Sequence, residues 1–195
     1  MNTLSGMNIL GRMSILSGIA RRRTRFAGDC RGISAVEFAM LFPVMLTLFL
    51  GSVEASQGIA TDRKVELIAH ALADLSSQYT AITNADMTNI LNAGSAIIAP
   101  YATAGLNEVV SEISIDAQGN ASVVWSDTLD GTALTVGQTV TVPSSLAVPN
   151  TYLVLAQVQY SYNPTYGYVM TGTLTLSDQS FMSPRESASI ARTAS

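Results

Sequence analysis

Residues 31–56 read RGISAVEFAMLFPVMLTLFLGSVEAS. From Phe38 to Val53 this run carries no charge. Extended back to Ile33 it gives about 20 residues interrupted only by Glu37, enough to cross a bilayer as a helix. The sequence has one such stretch. Pro43 and Gly51 fall inside it and are tolerated, because membrane helices keep these residues more often than soluble ones, at the cost of a modest kink.

Working outward, the two flanks differ in sign. Arg12, Arg21, Arg22, Arg23, Arg25 and Arg31 precede Gly32, with Asp29 the one acid there. Of the chain's 10 basic and 14 acidic residues this leaves four bases against thirteen acids after Gly32, a net charge of about -9. The positive-inside bias puts the N-terminus in the cytoplasm and the remainder across the membrane. So acidic a remainder excludes nucleic-acid binding. Cys30, the single cysteine, lies in the basic leader, so the rest of the chain must be held by core burial rather than by a disulfide.

A chain of 195 residues, 48% hydrophobic and 12% charged, is long enough for one packed domain plus an anchor. The expected organisation is a leader over 1–32, a transmembrane helix over 33–54 and an exported α+β domain over 55–195. In that domain 55–100 is helical and 106–182 forms an antiparallel sheet. Val65, Ile68, Leu72, Leu75 and Tyr79 recur at helical spacing, so the membrane helix continues outward as an amphipathic one. A second helix is expected from the cap at Thr83-Asn84, through Met87, Ile90 and Leu91, to Ala99 before Pro100, with Gly94 weakening its middle.

From Leu106 the period becomes two. Val109, Ile113 and Ile115 alternate with Glu108, Glu112 and Ser114, and a turn at 116–120 leads to Ala121, Val123 and Trp125, which reads as a hairpin with its acids on a wet edge. The Gly-, Pro- and Ser-rich stretch 126–150 reads as a surface loop with a short strand near Val140 and Val142. Tyr152, Val154, Ala156, Val158, Tyr160 and Tyr162 then alternate with Leu153, Leu155, Gln157 and Gln159. Met170, Leu174 and Leu176 alternate with threonines. One sheet face is thus apolar under the helices, and the other is wet and rich in Thr and Gln.

Three processing routes are open. Val53-Glu54-Ala55 offers a small-x-small signal-peptidase site before Ser56, which would free a soluble periplasmic module. Arg22-Arg23 has a poor twin-arginine context. The third route rests on Gly32-Ile33-Ser34-Ala35-Val36-Glu37-Phe38, a Gly after a basic leader with Glu at the fifth position counted from Ile33. A carboxylate on an apolar helix costs about 2.5 to 3.5 kcal/mol at mid-bilayer and less near the interface, so it calls for a partner such as a new amino group on Ile33. An uncleaved signal anchor with Glu37 reaching to the interface is the alternative.

Basic leader, Gly, four residues, Glu-Phe and a long apolar run resemble the class III signal of type IV prepilins in its Flp/Tad form, and 31–56 resembles the N-terminus of TadE-like pseudopilins. Near the other end, 154–191 is similar to the C-terminal segment of TadE/TadG-like proteins. There Tyr160, Tyr162 and Pro164 match a Tyr-x-Tyr-x-Pro element and Pro184-Arg185 a terminal Pro-Arg. The resemblance implies a pilin-like fold, cleavage by a prepilin peptidase between Gly32 and Ile33, and a role in processing or subunit alignment for Glu37 and Phe38. The implied partners are the Flp-type major pilin and other minor pilins, with the Tad inner-membrane platform and secretion ATPase engaged indirectly.

The function this supports is membrane-bound assembly of the Flp/Tad type IVb pilus, by helix packing rather than chemistry. Gly51, Ser52 and Ala55, followed by Ser56 and Gly58, would let neighbouring helices approach closely. The alternative is a periplasmic binding module, anchored or released. An enzyme is not expected: His70 is the single histidine, and no metal-ligand spacing, Gly-rich phosphate loop or nucleophile elbow is present. No cofactor or metal is expected either.

Overall fold

A computed structural model describes residues 31–164, 167 and 171–193. The elements are α1 (Arg31–Ser77), β1 (Ala81–Ile82), α2 (Asn84–Ile98), β2 (Leu106–Ile115), β3 (Ala121–Leu129), β4 (Thr151–Tyr162), β5 (Leu174–Met182) and β6 (Ala191–Arg192). The expected α+β order holds. The apolar stretch and its amphipathic continuation form a single helix of 47 residues that runs through Pro43. The chain divides into two compact units, Met1–Phe49 and Leu50–Ser195. Met170 and the basic leader up to Cys30 lie outside the described residues.

In the first unit every side chain from Ile33 to Phe49 is exposed. Phe38 and Phe42, one turn apart, pack ring to ring at 5.5 Å. In the second unit α1 buries one stripe, Glu54, Gly58, Thr61, Val65, Ile68, Leu72 and Ser76, which recurs at helical spacing. Full burial of side chains such as Ile68 and Leu72 stabilises the fold by about 1.5–3 kcal/mol each. Helix α2 starts where the sequence places it. Thr83 caps it, with the Thr83 hydroxyl accepting from the Asp86 amide and the Asp86 carboxylate accepting from the Thr83 amide. Its last carbonyls are met by α1, since Lys64 Nζ donates to the carbonyls of Ile97 and Ala99 at 2.8 and 2.5 Å.

The main sheet is antiparallel with order β3-β2-β4-β5. Val154, Ala156, Val158, Tyr160 and Tyr162 of β4 join Leu106 and Val110 of β2, Trp125 and Leu176 in one core with both helices. The β2–β3 hairpin turns through Asp116, whose carboxylate accepts from the Gln118 and Asn120 amides, and Gly119 supplies the left-handed φ of +85°.

Two expectations fail here. The face away from the helices is not wholly wet: Ile113, Ile115, Ala121, Leu153 and Leu155 form a second apolar cluster, capped by Leu134, Val140, Val142 and Phe181. The stretch expected to be a free surface loop is the cap. Its first residues extend β3 to Leu129, and Thr139 bridges to Ser122. The second failure concerns the acids of β2. Glu108 and Glu112 share a face with Leu106 and Val110, and both are buried beneath the helices. Their alternation was in phase, but a strand covered on both sides leaves the assignment of faces to the tertiary contacts.

Gly94 is the complement of Glu108. A Cβ at Gly94 would collide with Glu108 Oε1 and stand 2.7 Å from its Cδ and 2.9 Å from Ile68 Cγ2. The glycine that weakens α2 as a helix is what admits the carboxyl beneath it. Gly94→Ala is expected to lower stability by about 1–3 kcal/mol through overpacking. In a Glu108→Ala background the loss should shrink. Urea unfolding of the detergent-solubilised chain measures both, and equal losses in the two backgrounds would rule out this complementarity.

Candidate functional site

The N-terminal positions come together on one helix. Gly32 and Ile33 stand in the first turn of α1, and a Cβ at Gly32 would meet nothing within 4 Å, so packing does not require glycine there. Glu37 lies four residues beyond Ile33, on the same side of the helix. Glu37 is exposed, and so is the neighbouring Phe38. At the outer end of the apolar run Ser52, Ala55 and Ser56 are exposed and Gly51 is half-buried. Ser56 returns its hydroxyl to the Ser52 carbonyl at 2.8 Å, hiding a polar group on a face open to neighbours. Gly58, grouped with these residues by sequence, is buried instead.

The C-terminal motif residues are separated from those positions in sequence and take structural roles. Tyr160 is buried and donates its hydroxyl to the Ala102 carbonyl at 3.0 Å. Tyr162 is buried, with Tyr101 edge-on at 6.3 Å. Burial raises the phenol pKa of Tyr162, and the nearby Tyr101, Glu54 and Tyr160 raise it further. Pro164 and Pro184 are half-buried. Arg185 is more than a solvated tail residue. Its amide donates to the Ser77 carbonyl at 2.9 Å and its guanidinium pairs with Asp74, tying the tail to the end of α1.

Beyond Arg185 the tail is built into the core by groups that sequence reading missed. Ile190 is buried, its amide donates to Glu112 Oε1 at 2.6 Å, and its carbonyl accepts from the Trp125 indole at 2.9 Å. Burial raises the Glu112 pKa, and hydrogen bonding to its carboxylate from the Ile190 amide and the Trp125 side chain opposes the rise. Arg192 then forks onto Asp127 at 2.7 and 3.1 Å and also donates to the Ile82 carbonyl and to Asn84 Oδ1. Beside it β6 pairs in parallel with β1. Nothing in the spacing of Glu112, Trp125 and Ile190 announces this clamp, because its members are 13 and 65 residues apart and meet only when the tail folds back.

Glu108 is the chemically unusual group. It is fully buried and neither carboxylate oxygen has a hydrogen-bond partner among the described residues. Burial, with Asp130 adding repulsion, pushes its pKa from 4.5 up to about 7. His70 is exposed and shares a hydrogen bond with Ser180 Oγ through its Nδ1 at 2.9 Å. Among the described residues no group of three or more His, Cys, Asp or Glu could hold a metal ion. The uncovered part of the outer sheet face forms an open hollow of about 600 Å³, lined by Asn107, Thr132, Gln157, Gln159, Ser177 and Gln179. Asp178 adds a carboxylate to these amides and hydroxyls, so the hollow offers polar and acidic contacts.

The arrangement is therefore that of an anchored α+β protein. Among the described residues one helix is long and apolar enough to cross a membrane, and its continuation forms the spine of a folded unit. Residues 32–74 match the family model described as TadE-like protein, which covers α1 from its second residue to its last turn. The match bears out the resemblance of the N-terminal stretch, and points to membrane anchoring and a part in Tad pilus assembly. The chain matches no curated protein and no solved structure.

A prediction follows from Glu108. Its folded pKa lies above its unfolded one, so its contribution to stability is complete below about pH 4.5 and disappears as pH rises through about 7. The loss is at most about 3 kcal/mol. Glu108→Gln should flatten the fall in urea midpoint between those pH values and leave the variant more stable than the parent above neutrality. Parallel pH profiles for the two proteins would refute the burial of an uncompensated acid.

Proposed function

We propose that this protein is a single-pass, TadE-like pseudopilin that serves the assembly of the Flp/Tad type IVb pilus from the inner membrane. Its basic leader stays in the cytoplasm and its α+β unit stands in the periplasm. The observation that carries this reading is the coincidence of the family match over 32–74 with one continuous helix. The N-terminal part of that helix is exposed and apolar, while its C-terminal part is core. Such a helix offers its apolar half to neighbouring helices while the folded unit fixes its other half.

In this reading a prepilin peptidase cuts between Gly32 and Ile33. Glu37, one turn into the mature helix, meets an amino group at Ile33, of its own chain or of a neighbour, and thereby offsets its desolvation cost. Phe38, with the small residues Gly51, Ser52 and Ala55, packs against the Flp-type major pilin and other minor pilins. The platform and the secretion ATPase act through that assembly. The work is association, with no bond made or broken by this chain.

A released periplasmic binding module is the weaker reading. Cleavage after Ala55 would cut α1 beside Glu54, which is completely buried, and would sever that residue from the rest of the helix.

The test is the N-terminal residue and mass of the protein recovered from membranes, with and without a prepilin peptidase, beside Gly32→Arg. A mature chain beginning at Ile33, lost in both controls, is the expected result. A chain keeping its leader would leave an anchored assembly factor, and one beginning at Ser56 would overturn the pseudopilin reading. Glu37→Ala should leave the protein in the membrane but reduce its co-purification with the major pilin.

A further inference from the structure

The cap over the outer sheet face stops halfway along the strands. Leu134, Val140 and Val142 cover Ile113, Ile115, Leu153 and Leu155, and at the edge of that cover the strands change composition in register. On β4 Leu153 and Leu155 give way to Gln157 and Gln159, and on β5 Phe181 gives way to Gln179 and Ser177. Cross-strand pairing sets these residues in two rungs, with Val109, Gln157 and Gln179 in one and Asn107, Gln159 and Ser177 in the next. Successive residues of a strand alternate faces, so both rungs lie on the face that carries Leu153 and Leu155. They form the floor of the open hollow of about 600 Å³, which Thr132 of the capping stretch also lines.

The lining decides what such a hollow can hold. Strands β2 and β4 are interior to the sheet, each paired on both sides. Their backbone groups are engaged in the ladders, so side chains alone are left to recognise a ligand. An extended peptide, which takes its affinity from main-chain bonds to a free sheet edge, gains none of them on this floor. Asp178 is the one charged residue among the described residues that line the hollow, and none of them is basic. In a chain that carries about -9 after Gly32, such a lining disfavours phosphates, sulfates and acidic sugars. Val109 and Val158 are its only apolar members, too few for a hydrophobic ligand.

What the rungs do offer is a set of neutral donors and acceptors. An Asn or Gln amide both donates and accepts, and so does a Ser or Thr hydroxyl. Among the described residues, the side chains of Asn107, Gln157, Gln159, Ser177 and Gln179 make no hydrogen bond to one another or to the rest of the protein, although they stand at neighbouring cross-strand positions. Their hydrogen-bonding capacity is open to a ligand. A sugar ring presents the complementary groups, hydroxyls that donate and accept in several directions without net charge. The volume lies within the range of small-molecule sites, roughly 300–1,000 Å³, and suits a few sugar rings entering from the open side.

We propose that this hollow is a binding site for a neutral glycan chain, held by the amides of Asn107, Gln157, Gln159 and Gln179 together with the hydroxyls of Thr132 and Ser177. The site belongs to the folded unit by itself and does not rest on the pilus-assembly reading. To that reading it adds a place where the unit attaches to a polysaccharide.

The test is a saturation-transfer NMR titration of the full chain in a detergent without a sugar headgroup, with chitotetraose and maltotetraose as neutral probes. A heparin tetrasaccharide and tetra-alanine serve as the anionic and peptide controls. At least one neutral probe is expected to receive saturation, with an affinity that falls about tenfold in Gln159→Ala and in Gln179→Ala, both at exposed positions. Gln118→Ala, in the turn between β2 and β3, should leave that affinity unchanged. Transfer to neither neutral probe would overturn the proposal. Equal affinities in the parent, Gln159→Ala and Gln179→Ala would put the sugar elsewhere and overturn it as well. Tighter binding of the heparin fragment, or binding of tetra-alanine that the same two variants abolish, would replace the neutral glycan by an anionic or a peptide ligand.

Discussion

The packing of one α1 stripe against the sheet is the constraint on which the rest depends. Val65, Ile68, Ala69, Leu72 and Ala73 are completely buried, and they face the apolar side of β4 and the second helix within one core. The same helix is exposed and apolar at its other end. A helix with two such halves has no single environment that satisfies it. The soluble half is satisfied by β2, β4 and α2, and the apolar half requires lipid or other helices. The two requirements meet between Phe49 and Glu54, where composition changes within a few residues.

Around that spine the folded unit solves a problem set by its own acids. Glu108 and Glu112 lie on the helix side of β2, where an uncompensated charge is costly. Glu112 is given a backbone amide from the returning tail, so its burial also fixes where the tail runs. Glu108 has no such partner among the described residues and is accommodated by omission, through the missing side chain of Gly94 and a pKa moved towards neutrality. The two acids therefore contribute differently: one specifies a contact, and the other makes stability respond to pH.

The C-terminal segment is integral to this arrangement. Arg185 engages the end of α1, Ile190 fills the core, and Arg192 joins Asp127 on β3 to the residues at the start of α2. Three separate elements are thereby held by about ten residues with little regular structure. Hydrogen bonds to charged groups that are partly shielded from water contribute about 1.5–3 kcal/mol each. The half-shielded Arg192–Asp127 pair is of this kind.

The sequence by itself determined the elements and the anchor. An uncharged run of sufficient length, a helical period after it, a capping residue at Thr83 and a two-residue period along β4 are local properties, and each survives in the structure. Gly32, Glu37 and Phe38 lie within two turns of one helix, so their spacing is a local property as well. Tertiary structure alone decided which face of β2 is inside, because a strand covered on both sides shows the same alternation whichever way it faces. It also decided that 131–142 covers the second apolar cluster, that Gly94 answers Glu108, and that Ile190 sits between Glu112 and Trp125. These are pairings across long sequence separations, and such pairings exist only once the chain has closed on itself.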